Sequence, residues 1–445
     1  METSSSIILI VYILILFVVG YVSKKKIQKV DDYILGGRKL PWLLIAASIA
    51  ANDIGSGASI GVIQSAANSD GLSAVWYVWL MIPAYLIGIL VAPAMRKTGV
   101  KTVPDFFGHK YGPLAQRISA FFMIIPNLGV IAINFTASAS IIHLLLGVSF
   151  NKALVLSLFV ASLYSYFGGI VADVYNDTIQ LIVLLIGVCV TAGYIFVNTR
   201  FSFTFNSFDL VGNFSFSKGF SILLVYASSF VMGLASTTRI YSSKTPKNIK
   251  KSILILIPLY LIYALVPVYI GAFLSNQHYQ VFNTAVSVIE CLYMQLPGFI
   301  FVLISLGIIA ASLSTVDTLL VGCSTLLVND VIKPKHRNEK RQLLILRLLV
   351  LGFSVCGFII AIIGIDDIIT TLIFLLSLQT SALLIPFIYG HFCKKKILEK
   401  HCLLSILVSS LIFLFTSYCQ FSYYFINPFL LSVFGGWLCL TILIL

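Results

Sequence analysis

Three carboxylates fall where an apolar chain has no ordinary use for them. Asp53 stands about 12 residues into an apolar run that opens at Pro41, ~18 Å along a helix rising 1.5 Å per residue. Asp317 is similarly deep within residues 297–329, and Asp177 lies a turn inside residues 174–198. A carboxylate near a bilayer centre costs about 2.5 kcal/mol or more, so a buried, unpaired one must carry a proton or hold a cation, while Asp177 could by position alone be interfacial. The first option is a proton relay and the second an alkali-ion site. Arg239 and Arg347 fall near the cytoplasmic ends of their runs, so no Lys or Arg is expected deep enough to pair with these acids. The other thirteen of the 16 acidic residues, Asp173 and Asp330 included, fall in loops, in the termini or beside span ends.

The residues around two of these acids favour an ion. Asp53 sits in Ser48–Gly61, a stretch with an Asn-Asp pair, three glycines and three serines inside otherwise apolar sequence. That composition suits a helix that breaks and frees backbone carbonyls. Around Asp317, the residues Ala311, Ser314, Thr315 and Thr318 recur at i, i+3, i+4 and i+7 and share one helical face. Hydroxyls, a carboxylate and freed carbonyls are the oxygens that a hard cation such as sodium takes. Interhelical packing of Ser and Thr would account for the hydroxyls, but for neither Asp317 nor the break. A second stretch of small and hydroxyl residues, Tyr226–Ser236, comes five spans after the first. Five is odd, so a five-span repeat would return with inverted topology, the arrangement that brackets a midplane site in secondary transporters.

The elements that must position these groups are membrane helices. The chain has 445 residues, 59% hydrophobic and 10% charged, and a mean hydropathy of +1.02. Soluble domains carry charge on about a quarter of their residues. Runs of about 20 apolar residues predict an all-α polytopic membrane protein of about 13 transmembrane helices. With the N-terminus outside and the C-terminus cytoplasmic, all of the 29 Lys and Arg except Lys152, Arg200 and Lys218 fall in cytoplasmic segments. The net charge of +13 is therefore a topology signal, and nucleic acid is not expected as a partner. The eight cysteines are scattered and read as small apolar residues. No His/Cys cluster, metal spacing or nucleophile–base set lies within the spans, so no enzyme is expected.

At this point the chain resembles the sodium:solute symporters. Four stretches carry the likeness: Asp32–Arg38, Ala51–Gly55, Tyr175–Gln180 and Ala311–Thr315. The resemblance implies alternating access on a core of two inverted five-helix repeats with broken first helices. The segments would be an N-terminal peripheral helix and loop (1–40), the two repeats (41–198 and 199–392) and two peripheral helices (393–445). It implies a sodium site made by the carbonyls of Ala51, Ile54 and Ala311 and the hydroxyls of Ser314 and Thr315. A second ion, present in some members, would meet Asp177, Ser314, Asp317 and Thr318. Asp53 falls where the proline carriers of the family also look acidic. The Gln-Pro-His often found before the Arg of the seventh span is replaced here by Leu234–Thr238 before Arg239.

The expected function is sodium-coupled import of a small polar organic solute across a cell membrane, with no cofactor beyond the coupling ion. Asp53, Gly55, Ser56, Ser59, Tyr77, Asn134, Tyr226, Ser228, Phe230 and Gln379 are the expected solute-facing groups. Asp53 could meet an ammonium, which leans toward an amino acid or another amine. The alternatives are a proton-coupled carrier on the same scaffold and a solute sensor or channel that does not concentrate its solute.

Overall fold

The protein is described by a computed structural model covering residues 2–25, 27–68, 70–199, 214–276, 285–333, 338–364, 367–393, 397–419 and 428–444. Its regular elements are helices; the β-type contact described is an isolated bridge between Leu40 and Ser243. The first helix, α1 (Glu2–Lys24), leaves much of one apolar face exposed, as a peripheral membrane helix does. Helix α2 (Val30–Leu35) ends on Gly36 in the left-handed region, φ 56°, a conformation that glycine adopts without penalty. Pro41 is extended, and α3 (Trp42–Asp53) starts behind it.

Helix α3 stops at the predicted break. A π-helical turn, Gly57–Gly61, and α4 (Val62–Ala67) resume at a bend of 55°. The third predicted span is divided into a 3-10 turn, Gly71–Val75, α5 (Trp76–Trp79) and α6 (Met81–Lys97). Thr102 caps α7 (Val103–Lys110) by accepting from the Asp105 amide at 3.0 Å. Two long helices follow, α8 (Pro113–Leu146) and α9 (Phe150–Asn198). The turn expected at Gly168–Asp173 is present: Gly169, at φ 49° and ψ −157°, leaves the helical region and divides α9 into two helices.

The second half opens with α10 (Phe216–Met232) and α11 (Leu234–Ser242), bent by 42° at Gly233. After α12 (Pro246–Tyr263) and α13 (Leu265–Ser275), the outer segment expected to hold an amphipathic helix contributes α14 (Ala285–Gln295). Helix α15 (Gly298–Leu326) continues through a π turn, Leu327–Ile332. Helices α16 (Glu339–Ile363), α17 (Ile368–Phe392), α18 (Glu399–Tyr418) and α19 (Pro428–Ile444) complete the chain.

Among the described residues, eight helices are long and apolar enough to cross a membrane, ten if each bent pair forms one span. Shorter apolar helices add to these, and the count of thirteen is not reached on length and composition. The centre of the molecule is α15, which packs on both α9 and α8. Small residues bring the backbones together: a Cβ on Gly187 of α9 would stand 2.5 Å from the Leu303 carbonyl oxygen. Where lipid offers no hydrophobic drive, such close approach is what joins helices.

Candidate ion and solute site

The break in the first bent pair lies against α15. Ile54 N–H still bonds the Ala50 carbonyl at 2.9 Å, and the ladder resumes with Ser59 N–H on the Gly55 carbonyl at 3.1 Å. Between them, carbonyls of the broken turn accept hydroxyls instead. Thr315 Oγ1 lies 3.3 Å from both the Asn52 and the Ala311 carbonyl oxygens. That is long for an O–H···O bond, so the hydroxyl is held loosely between the two helices. Gly55 makes the approach possible, since a Cβ there would stand 2.7 Å from Thr315 Oγ1 and 3.1 Å from the Asn52 carbonyl.

Of the five residues named for sodium, Ala51, Ile54, Ala311, Ser314 and Thr315, all are buried at this junction. Two are engaged otherwise than expected. The Ile54 carbonyl accepts from Ser59 Oγ at 3.1 Å, and Ser314 Oγ donates to Asp177 Oδ1 at 2.5 Å. Asn52, which the sequence reading left out, supplies the carbonyl that Thr315 touches.

The expectation that no Lys or Arg pairs with Asp53, Asp177 or Asp317 is overturned at Asp177. Arg239 is 1% exposed. Its Nη2 shares two hydrogens among Asp173 Oδ2 at 2.7 Å, Asp177 Oδ2 at 2.8 Å and Thr318 Oγ1 at 2.6 Å, and its Nε donates to Ser48 Oγ at 2.8 Å. The break at Gly233 restarts the helix as α11, and Arg239, in its last turn, points into the helix bundle. Asp173 and Asp330, placed in a loop and at a span end from sequence, are also fully buried. Asp173 follows the turn at Gly169, where the next helix has already begun. Asp330 is held by Thr102 Oγ1 and by Gln116 Nε2, the latter at 2.7 Å.

The set named for a second ion surrounds this arginine. Ser48 and Asn52 of α3 and Ser314 of α15 all donate to Asp177, while Thr318 donates to Asp173 Oδ1 at 2.9 Å. Asp317 is 1% exposed, and its Oδ1 meets no hydrogen-bond partner among the described residues.

A cavity of about 150 Å³ opens beside the break. Of the expected solute-facing residues, Asp53, Gly55, Ser56, Tyr77, Asn134, Tyr226, Phe230 and Gln379 line it. Two do not. Ser59 turns to the Ile54 carbonyl and to the Tyr263 hydroxyl, 2.9 Å away, and Ser228 bonds back to the Leu224 carbonyl of its own helix.

Asp53 accepts from the Tyr260 hydroxyl at 2.9 Å, and Tyr85, on the cavity wall, reaches Tyr260 at 3.4 Å. Asn134 gives its amide hydrogen to the Val130 carbonyl, and its Oδ1, without a partner among the described residues, is left as an acceptor on the wall. Asn127 reads from sequence as helix-joining glue. It lines the cavity and donates to Gln379 Oε1 at 3.0 Å, while Gln379 Nε2 reaches the Met232 carbonyl at the second break, 3.3 Å away. Among the lining residues Asp53 is the one carboxylate, and none is Lys, Arg or His.

A model of the sodium:solute symporter family matches residues 33–408. The sheep (Ovis aries) sodium/glucose cotransporter 1 is 28% identical over 196 residues, 42% of this chain and 29% of that protein. The rat (Rattus norvegicus) sodium/myo-inositol cotransporter 2 is 27% identical over 210 residues, 44% of this chain and 30% of that protein. The matches thus span under a third of either relative. A substrate-bound, outward-open sodium-coupled sialic acid symporter shares the fold with a TM-score of 0.83 at 17% identity, covering 98% of this chain and 97% of that one. A nucleobase-cation-symport-1 transporter, closed on bromovinylhydantoin, aligns with a TM-score of 0.64 at 13% identity over 92% of this chain and 94% of its own.

Proposed function

The chain belongs to the sodium:solute symporter family, and we propose that it couples the entry of sodium to the import of a small polar organic solute by alternating access. One observation carries the reading: the broken turn meets α15 at Thr315, and the same turn presents Asp53 to the cavity. Ion and solute would therefore share one short segment of backbone. Sodium, held by the carbonyls of Ala51, Ile54 and Ala311 with the hydroxyls of Ser314 and Thr315, would tie α3 to α15 and hold the cavity open for solute.

The division into inverted repeats, 41–198 and 199–392, is supported by the two bent pairs, one in each half. The set Asp177, Ser314, Asp317 and Thr318 is the second cation position in this reading, because Asp317 retains an oxygen without a partner among the described residues. The distribution of Lys and Arg supports an N-terminus outside, and a cell membrane is the location this reading takes.

The solute class rests on charge. A lone carboxylate in a cavity without a basic side chain favours an amino acid or another amine-bearing solute over a simple anion. Replacing external sodium by choline at fixed pH, in sealed vesicles offered a panel of labelled amino acids, sugars and vitamins, tests both parts. Concentrative uptake of one compound, lost in choline, is expected. Uptake undiminished in choline would replace sodium by protons, and uptake that only equilibrates would mark a channel.

A further inference from the structure

Tyr77 is the cavity residue whose surroundings the ion and solute roles leave unexplained. Its hydroxyl donates to Asp70 Oδ2 at 3.0 Å, and the same oxygen accepts from Ser65 Oγ at 2.6 Å and stands 3.5 Å from Lys218 Nζ. The Lys218 ammonium lies 5.1 Å from the Tyr77 ring centre and 5.0 Å from that of Phe214. The two rings meet edge to face, with centres 5.3 Å apart.

These residues come from different arms. Ser65 lies on α4 and Asp70 and Tyr77 follow it, whereas Phe214 and Lys218 flank the start of α10. The two bent pairs of the fold are thus joined at one end by a single small cluster. Exposure orders it: the Lys218 side chain is 38% exposed and that of Asp70 7%, while Tyr77 is buried on the cavity wall. From Lys218, α10 and α11 run past Gly233 to Ser243, whose carbonyl accepts from Arg96 at 2.7 Å. The cluster is therefore at the end of these helices remote from the basic loops.

We propose that Lys218 and Asp70 form a latch that holds Tyr77 across the outer mouth of the cavity and opens when the two arms part to admit solute. The latch rests on the alternating-access reading above. Its strength suits the task. An ion pair open to water on one side, with ring contacts on a half-exposed ammonium, shifts an equilibrium by about fivefold at most. A gate broken in every cycle needs a contact of that size. A surface pair that merely pins a loop would have no reason to be built on a cavity residue.

The test reads access to the cavity directly. Met81 lines it one turn beyond Tyr77. With Met81→Cys in the full chain, labelling by a membrane-impermeant methanethiosulfonate is timed in right-side-out vesicles, and the parent with its native cysteines supplies the background. Asp70→Asn and Lys218→Met are each expected to speed labelling by about 3- to 5-fold, with no further gain when combined. Lys218→Arg, which keeps the charge, should leave the rate as it was. Unchanged rates in the single variants, or gains that multiply in the double variant, overturn the latch. Failure of the symport reading shows elsewhere, as labelling of the Met81→Cys chain that does not respond to sodium.

Discussion

Arg239 and Asp177 form an ion pair of 2.8 Å in which the arginine is 1% exposed and the aspartate not at all. The pair joins α11, the second arm of one bent helix, to α9. Through Ser48 and Asn52, which also donate to Asp177, it joins the first arm of the other bent helix as well. Asp177 accepts from Ser314 too, so the ion junction and the arginine share one carboxylate.

Removing the guanidinium would leave Asp173 and Asp177 buried without their counter-charge. Arg239→Met is expected to cost about 3–5 kcal/mol, the usual penalty for breaking a buried pair from one side. Thermal unfolding of the purified protein measures it. Adding Asp173→Asn and Asp177→Asn should recover much of the loss, and an Arg239→Met protein that melts like the wild type would refute a structural role for the pair.

Gly55 and Gly57 are two residues apart but should fail differently. A Cβ at Gly55 meets Thr315 Oγ1 and the Asn52 carbonyl, whereas one at Gly57 meets Leu372 Cδ2, the far end of a flexible side chain. Gly55→Ala is expected to raise the sodium concentration for half-maximal uptake about tenfold, equivalent to ~1.4 kcal/mol. Gly57→Ala should act mainly on solute KM. Equal sodium activation curves for the two variants would count against an ion at the Thr315 junction.

Asp53 faces the cavity from the same broken turn that would hold sodium, so it bears on both ligands. Asp53→Ala should lower apparent affinity for sodium and for solute together, and Tyr260→Phe, which removes one hydrogen bond to the carboxylate, should do so more weakly, by about 1 kcal/mol. Sodium activation that is unchanged in Asp53→Ala would leave the residue a packing role only.

Gln379 touches the other break. Its amide links Asn127 to the Met232 carbonyl, so Gln379→Leu leaves polar groups beside the cavity without a partner. An increase of about fivefold or more in solute KM is expected, with sodium activation close to wild type. A change in sodium activation alone would move Gln379 out of the solute site.

The two breaks and the ion-bearing stretch of α15 could be read from sequence because glycines, hydroxyls and carboxylates are conspicuous against apolar residues. Arg239 was less legible. Its place in the chain, close to Lys244 and Lys247, looks like a span end, and only the restart of the helix at Gly233 carries it inward. Asp173 was less legible because it directly follows the turn at Gly169, where the next helix has already begun and buries it. Asn127, beside Pro126, was indistinguishable from an interhelical amide until Gln379 was placed opposite it. Ser59 shows the reverse case: a hydroxyl in the right stretch, engaged instead by the Ile54 carbonyl and the Tyr263 hydroxyl.

Thr102 has two duties that cannot be separated. Its hydroxyl oxygen accepts from the Asp105 amide to begin α7, and the same hydroxyl donates to Asp330 at the end of α15. Any motion that draws Asp330 away from Thr102 also disturbs the bond that starts α7. Helix α7 is short, and an eight-residue helix has little cooperative strength to spare. Exchange of the Asp105 amide hydrogen with solvent is therefore expected to quicken whenever Asp330 leaves Thr102, which would make it a clock at the basic face.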